Sequence, residues 1–301
     1  MHITSLLILL MQRIKYWLSE HPKIVGFRWS PTQSWGSTWS FVFGAIATYV
    51  VTAIALHLIL SLLLRRRPKP VSLGPIPAVH SLAMAVISAT IFVGMLVSAA
   101  AEIRDTRWLW PRTKTTTPLQ WLLCFPIGTR SSGRVFFWSY VFYLSRFLHL
   151  LRTFITILRY RKLSSSNLIR QSILVLTPFL WLEFSQSFQV LAIIFTTLVN
   201  TVVYGYRFWV GGGASFTLPV PVVELEVNCQ VLSVGFNVIC HIGVVVLHFR
   251  KGGCNGIGAW VCNSILNAVI LVQFYLQNVN IKSTELLREQ DAAILEPNKN
   301  I

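Results

Sequence analysis

Apolar residues recur along almost the whole chain in long runs, separated by short polar, basic or glycine-rich segments. A helix crosses about 30 Å of hydrocarbon with roughly 20 apolar residues, and the pattern predicts seven such helices. The first covers 39–64 and stops at the basic run 65–69. The second covers 78–101 and is followed by a polar, aromatic loop, 102–134, rich in Trp, Thr and Pro. The third covers 135–158 and ends in the basic run 159–162. The stretch 168–209 is too long for one span and fits two, broken near 183–187. Gly211-Gly212-Gly213 then marks a turn, since no strand–turn–helix context surrounds it. The sixth span covers 222–249 and the seventh 257–277. Ahead of them, 1–38 holds an apolar stretch, 3–11, too short to cross, which reads as an interfacial segment. Behind them, 282–301 is polar and reads as a partly disordered tail.

Composition agrees with this pattern. Of 301 residues 54% are hydrophobic and 12% charged, and the mean hydropathy is +0.60. A soluble domain carries about 25% charged residues, so much of this surface meets something other than water. The expected fold class is all-α, an integral membrane bundle of about seven transmembrane helices.

The net charge of +16 does not point to nucleic acid, because most Lys and Arg stand at the ends of apolar runs. There they anchor helices against membrane lipid headgroups. The basic runs 65–69 and 159–162 follow odd-numbered spans, which predicts cytoplasmic loops there and a cytoplasmic tail. The five cysteines form no CxxC pair. Their odd number and the membrane setting argue against a disulfide framework. His241, His248, Cys254 and Cys262 lack zinc-finger spacing. No metal and no cofactor are expected.

Ionisable residues inside a membrane are costly and mark functional sites. On the third span Arg146, His149 and Arg152 are spaced i, i+3, i+6, within about a third of the helix circumference. Glu183, Gln186 and Ser187 lie at the break between spans four and five, beside Gln189. On the fifth span Asn200, Tyr204 and Arg207 share one face. Asn228, Gln230, Asn237 and His241 add polarity to the sixth, and Asn263 and Asn267 to the seventh. The plain alternative is interhelical hydrogen bonding and one buried ion pair. Three basic groups with one nearby acid leave positive charge over, which invites an anion.

These blocks resemble the ELO (GNS1/SUR4) family of membrane-bound fatty acid elongases, and its plant ELO-like branch most. Tyr16-Trp17-Leu18, His21-Pro22 and Gly36-Ser37-Thr38 resemble that branch's N-terminal region. The third span, from Phe142 through Arg146 and Thr153 to Leu158-Arg159, resembles the block K-x-x-E-x-x-D-T-x-x-x-x-L-R-K. Asn200 through Tyr204 to Tyr206 resembles H-x-x-M-Y-x-Y, and 263–275 the final span. The family's H-x-x-H-H block, registered through Val190, falls on Glu183-Phe184-Ser185-Gln186-Ser187, so all three histidines are absent. Where the third-span block has Lys, Glu and Asp, this chain has Arg146, His149 and Arg152.

The resemblance implies an acyl tunnel enclosed by the helices in the endoplasmic reticulum membrane. It implies decarboxylative condensation of acyl-CoA with malonyl-CoA to 3-oxoacyl-CoA, carbon dioxide and CoA. On that reading His149, Glu183, Gln186 and Ser187 are the catalytic candidates. Arg146, Arg152, Asn200, Tyr204, Arg207 and Gln230 are the substrate-binding candidates. The family pattern faces an acid with imidazoles, and here the partners are exchanged, which predicts a His149–Glu183 pair. Possible partners are membrane lipid, acyl-CoA, other elongation-cycle enzymes and a second copy of the chain. Two further readings stay open: a non-catalytic elongase-like protein that binds acyl-CoA or a partner elongase, and a seven-helix transporter or receptor.

Overall fold

The structure, a computed structural model, describes residues 2–63, 74–106, 117–159, 163–211 and 222–295. The basic run 65–69, most of the run 159–162, the middle of the loop after the second span, and Gly212 and Gly213 lie outside them. The described residues form helices in chain order. These are α1 (His2–Lys15), a π-helical turn (Tyr16–Glu20), α2 (Pro22–Val25), α3 (Trp39–Leu63), α4 (Ile76–Thr106), α5 (Pro118–Leu123), α6 (Arg134–Leu158), α7 (Ser165–Glu183), α8 (Gln189–Gly211), α9 (Val222–Lys251) and α10 (Ile257–Leu295). The chain is a multi-pass membrane protein, with α3, α4, α6, α8, α9 and α10 long and apolar enough to cross.

The fourth expected span, α7, differs from these six. It has 19 residues, but its first half carries Ser165, Ser166, Asn167, Arg170, Gln171 and Ser172. Protein covers most of it: Val175, Phe179, Trp181 and Leu182 are buried. A helix shielded from lipid by its neighbours can carry more polar groups than one facing hydrocarbon. It runs back along α6, since Phe142 stacks on Trp181 with ring centroids 6.0 Å apart and Tyr143 faces Phe179 at 6.2 Å.

Small residues let some helices approach closely. Gly94 of α4 lies against the Trp138 indole of α6, where a Cβ would overlap the ring. The Trp138 Nε1 donates to the Leu18 carbonyl at 2.8 Å, which fastens the π-helical turn onto the bundle. In α1 itself Leu6, Ile8, Leu9, Leu10 and Met11 are exposed. At the other terminus, where the pattern suggests partial disorder, α10 continues as helix to Leu295.

Contrary to the cysteine count, a disulfide joins Cys124 to Cys254 across 130 residues, with Cα atoms 5.1 Å apart. It links the loop before α6 to the loop between α9 and α10, and the break 184–188 packs against both. Asn255 ties the three together. Its Nδ2 donates to the carbonyls of Thr129, Phe184 and Ser185, and its Oδ1 accepts from Gly128 N at 3.1 Å. Gly256, at φ +72°, is required here, because a Cβ would lie 2.8 Å from the Gln186 Cα. Within the break, Ser185 and Phe188 hold φ of 44° and 61°. A bulky residue in that region costs about 1–3 kcal/mol and persists only where its surroundings over-determine it. Phe188 is 1% exposed and lies against His241, centroids 4.6 Å apart.

Candidate functional site

The buried face of α6 runs through Ser139, Phe142, Arg146, His149, Thr153 and Ile157. Spacings of three and four keep these on one side. Aromatic and aliphatic residues fill both ends of the face, and the middle two turns are basic. Arg146 is 5% and His149 6% exposed.

Of the polar groups along this side of α6, His149, Arg152 and Thr153 meet other helices. His149 Nδ1 lies 2.9 Å from the Tyr204 hydroxyl of α8, and Tyr204 packs with Met84 and Ala85 of α4. The His80 ring of α4 stands edge-on to Tyr204, with centroids 6.3 Å apart. Arg152 donates to Glu226 of α9 at 2.8 Å. Arg207 of α8 donates to the other oxygen of the same carboxylate. Arg170 of α7 lies close enough to Arg152 and Glu226 for their charges to act on it. Thr153 shares a hydrogen bond with Tyr49 of α3 at 2.9 Å. Five helices thus converge on the middle of α6. Three guanidiniums, those of Arg152, Arg170 and Arg207, share one carboxylate, Glu226, and a fourth, that of Arg146, is buried nearby on α6. An excess of buried positive charge is expensive, at several kcal/mol per uncompensated ion, and lowers its cost by binding an anion.

Some expected site residues lie elsewhere. Glu183 does not pair with His149. Its carboxylate accepts from the Trp29 indole at 2.9 Å, and Trp29 packs on Tyr140, centroids 5.8 Å apart. From the level of Tyr140 to His149 is about 14 Å along a helix rising 1.5 Å per residue. The antiparallel run of α6 and α7 therefore leaves Glu183 at the disulfide end and brings Arg170 to the basic stripe. Gln186 bonds Asn263 of α10. Ser187 Oγ donates to the Asn255 carbonyl at 2.8 Å and accepts from Phe125 N at 3.0 Å, so it is held from both sides within the loop tie. Asn200 and Gln230 are half-buried and are not among the hydrogen-bonded groups around His149.

Comparison with known proteins places this arrangement. The model of the ELO: GNS1/SUR4 family matches residues 34–283. The chain belongs to this family. A protein of Arabidopsis thaliana named "Fatty acid elongase 3-like" is 61% identical over 266 residues, covering 88% of this chain and 90% of that one. A provisionally named fatty acid elongase of Dictyostelium discoideum is 24% identical over 210 residues, covering 62% of this chain and 67% of that one. No solved structure matches significantly.

Within the family match, three members of the cluster escape the sequence reading: Glu226, Arg170 and His80. Glu226 had a signal, since the chain has only ten acids and this one falls inside a predicted span. Arg170 and His80 stand near span ends, where a basic residue reads as a headgroup anchor.

Proposed function

We propose that the chain acts in very-long-chain fatty acid elongation in the endoplasmic reticulum membrane, condensing acyl-CoA with malonyl-CoA. The products are 3-oxoacyl-CoA, carbon dioxide and CoA. Family membership and the 61% identical relative's name support the pathway. The observation that carries the chemistry is the buried His149–Tyr204 pair, which lies beside the cationic group of Arg152, Arg170 and Arg207.

In this reading Arg152, Arg170 and Arg207 receive the CoA phosphates, since guanidinium pairs with such oxygens in charge-assisted and often bidentate fashion. Glu226 holds Arg152 and Arg207 in place between ligands. When Nδ1–H of His149 donates to the Tyr204 oxygen, Nε2 keeps its lone pair and faces the reacting groups as base or nucleophile. Condensation consumes one proton as the CoA thiolate departs, and in this reading His149 holds and delivers it. The product carries a 3-oxo group, so reductive enzymes of the elongation cycle are the partners that must consume it.

A second reading, an elongase-like protein that binds acyl-CoA without condensing it, draws on the missing histidine block. The relatives leave no ground for a transporter or receptor. Membranes lacking endogenous elongase, expressing this chain and supplied with acyl-CoA and labelled malonyl-CoA, decide between the two remaining readings. Labelled 3-oxoacyl-CoA supports catalysis. Acyl-CoA binding without product supports the non-catalytic member.

A further inference from the structure

Arg146 is the member of the cluster whose charge the protein leaves unanswered. Its guanidinium lies 4.1 Å over the Phe142 ring. Its Nε is buried with no hydrogen-bond partner. No carboxylate pairs with it among the described residues, because Glu226 is divided between Arg152 and Arg207. A cation over an aromatic face recovers only a fraction of what burying an ion costs. The other residues close to it, His149 and Tyr204, are bonded to each other.

Resting on the condensation reading, we propose that Arg146 binds the free carboxylate of the malonyl unit. Depth along α6 supports the assignment. His149, bonded to Tyr204, marks the level of the reacting thioester in the condensation reading. Arg146 lies three residues from it toward the Arg134 end of α6, about 4.5 Å of helix rise. In a malonyl thioester a single methylene carbon separates the thioester carbonyl from the free carboxylate. Residues three apart on a helix have Cβ atoms about 5–6 Å apart, so one short diacid unit reaches both His149 and Arg146.

The same placement follows the charge through the reaction. The bond between the carboxylate carbon and C2 of the malonyl unit breaks, and carbon dioxide leaves. The electron pair stays on C2 and the thioester oxygen as an enolate. C2 then attacks the acyl thioester carbon, the carbon–sulfur bond breaks, and the departing thiolate takes a proton. Negative charge moves from carboxylate to enolate within reach of one fixed cation, so decarboxylation creates no unpaired charge in the low-dielectric interior.

Binding measurements on purified full-length protein in lipid nanodiscs test this with malonyl-CoA, acetyl-CoA and a long-chain acyl-CoA. Wild type should bind malonyl-CoA about 10- to 100-fold tighter than acetyl-CoA, the range expected for one charge-assisted pair. In R146Q that preference should vanish while long-chain acyl-CoA affinity stays within about threefold, and R146K should retain part of it. No preference in wild type, a comparison that needs no variant, overturns the proposal. So does R146Q with the preference intact, or R146Q weakened equally toward all three esters. Loss of the preference in R146Q, together with no condensation product from the wild type in the membrane assay, would support the carboxylate site and remove the condensation reading. Product formation by R146Q at an unchanged KM for malonyl-CoA would remove the carboxylate site alone.

Discussion

Replacing Glu226 by Gln keeps the side chain's shape and removes its charge. In the native arrangement the two carboxylate oxygens serve Arg152 and Arg207 on two different helices. Glu226→Gln therefore breaks two ion pairs at once and takes away the carboxylate that Arg152, Arg170 and Arg207 share. Removing one partner of a buried pair costs about 3–5 kcal/mol. The side chains of Arg152 and Glu226 keep 29% and 17% of their exposure, so about 3 kcal/mol is the reasoned figure, the low end of that range. At roughly 2–4 °C per kcal/mol, the melting temperature in nanodiscs should fall by about 6–12 °C. Acyl-CoA affinity should move the other way, rising about three- to tenfold, because the ligand phosphate no longer competes with an internal carboxylate. Saturating acyl-CoA should then restore much of the lost thermal stability by mass action. The double variant Arg152→Gln with Glu226→Gln should be less destabilised than the sum of the singles, which a double-mutant cycle reads directly. A variant with unchanged melting temperature and unchanged acyl-CoA affinity would refute the claim that Glu226 organises this cationic group.

Gly94→Ala should destabilise the bundle by about 1–3 kcal/mol through overlap with the Trp138 indole, and Gly94→Ala with Trp138→Phe should recover part of the loss in thermal melts. The Cys124–Cys254 bond closes a span of 130 residues, and Cys124→Ser should cost about 2–5 kcal/mol. Disulfides persist in oxidising compartments, so the end of the bundle that carries this bond should face the lumen, with the basic run 159–162 in the cytoplasm. A membrane-impermeant reductant should leave the bond intact in sealed microsomes and cleave it after permeabilisation, and cleavage in sealed vesicles would invert the topology.

The spans were legible because hydrocarbon imposes a length and a composition that few other settings impose. The pattern places the six spans that are long and apolar enough to cross within a few residues of their bounds and finds the break near 183–187, where Gln186 and Ser187 interrupt an apolar run. Polar residues on a single helix were equally legible: Arg146, His149 and Arg152 share one face of α6 and take up neighbouring positions in one cluster. Relations between helices were not. The depth of Glu183 against α6 depends on how the turn joining α6 to α7 sets the register of the pair, and no local spacing encodes that. A motif-based register therefore put Glu183 beside His149, while the fold gives it to Trp29. The disulfide failed for a related reason, since its two cysteines meet only after α6 to α9 have packed. The helix α7 stands where a fourth span is expected by length, but it is not among the six long and apolar enough to cross, and its polar first half became intelligible only once the neighbours that cover it were seen.

The central claim is that His149, held by Tyr204, takes the place of a histidine block in a condensing site. Its most direct measurement follows release of labelled carbon dioxide from carboxyl-labelled malonyl-CoA together with 3-oxoacyl-CoA formation, in wild type, His149→Gln and Tyr204→Phe. Wild type should give the two products in equal amounts. His149→Gln should lose about 100-fold or more, the scale of removing an acid–base group, and Tyr204→Phe less, with melting temperature and acyl-CoA binding retained in both. Full product formation by folded His149→Gln would contradict the claim.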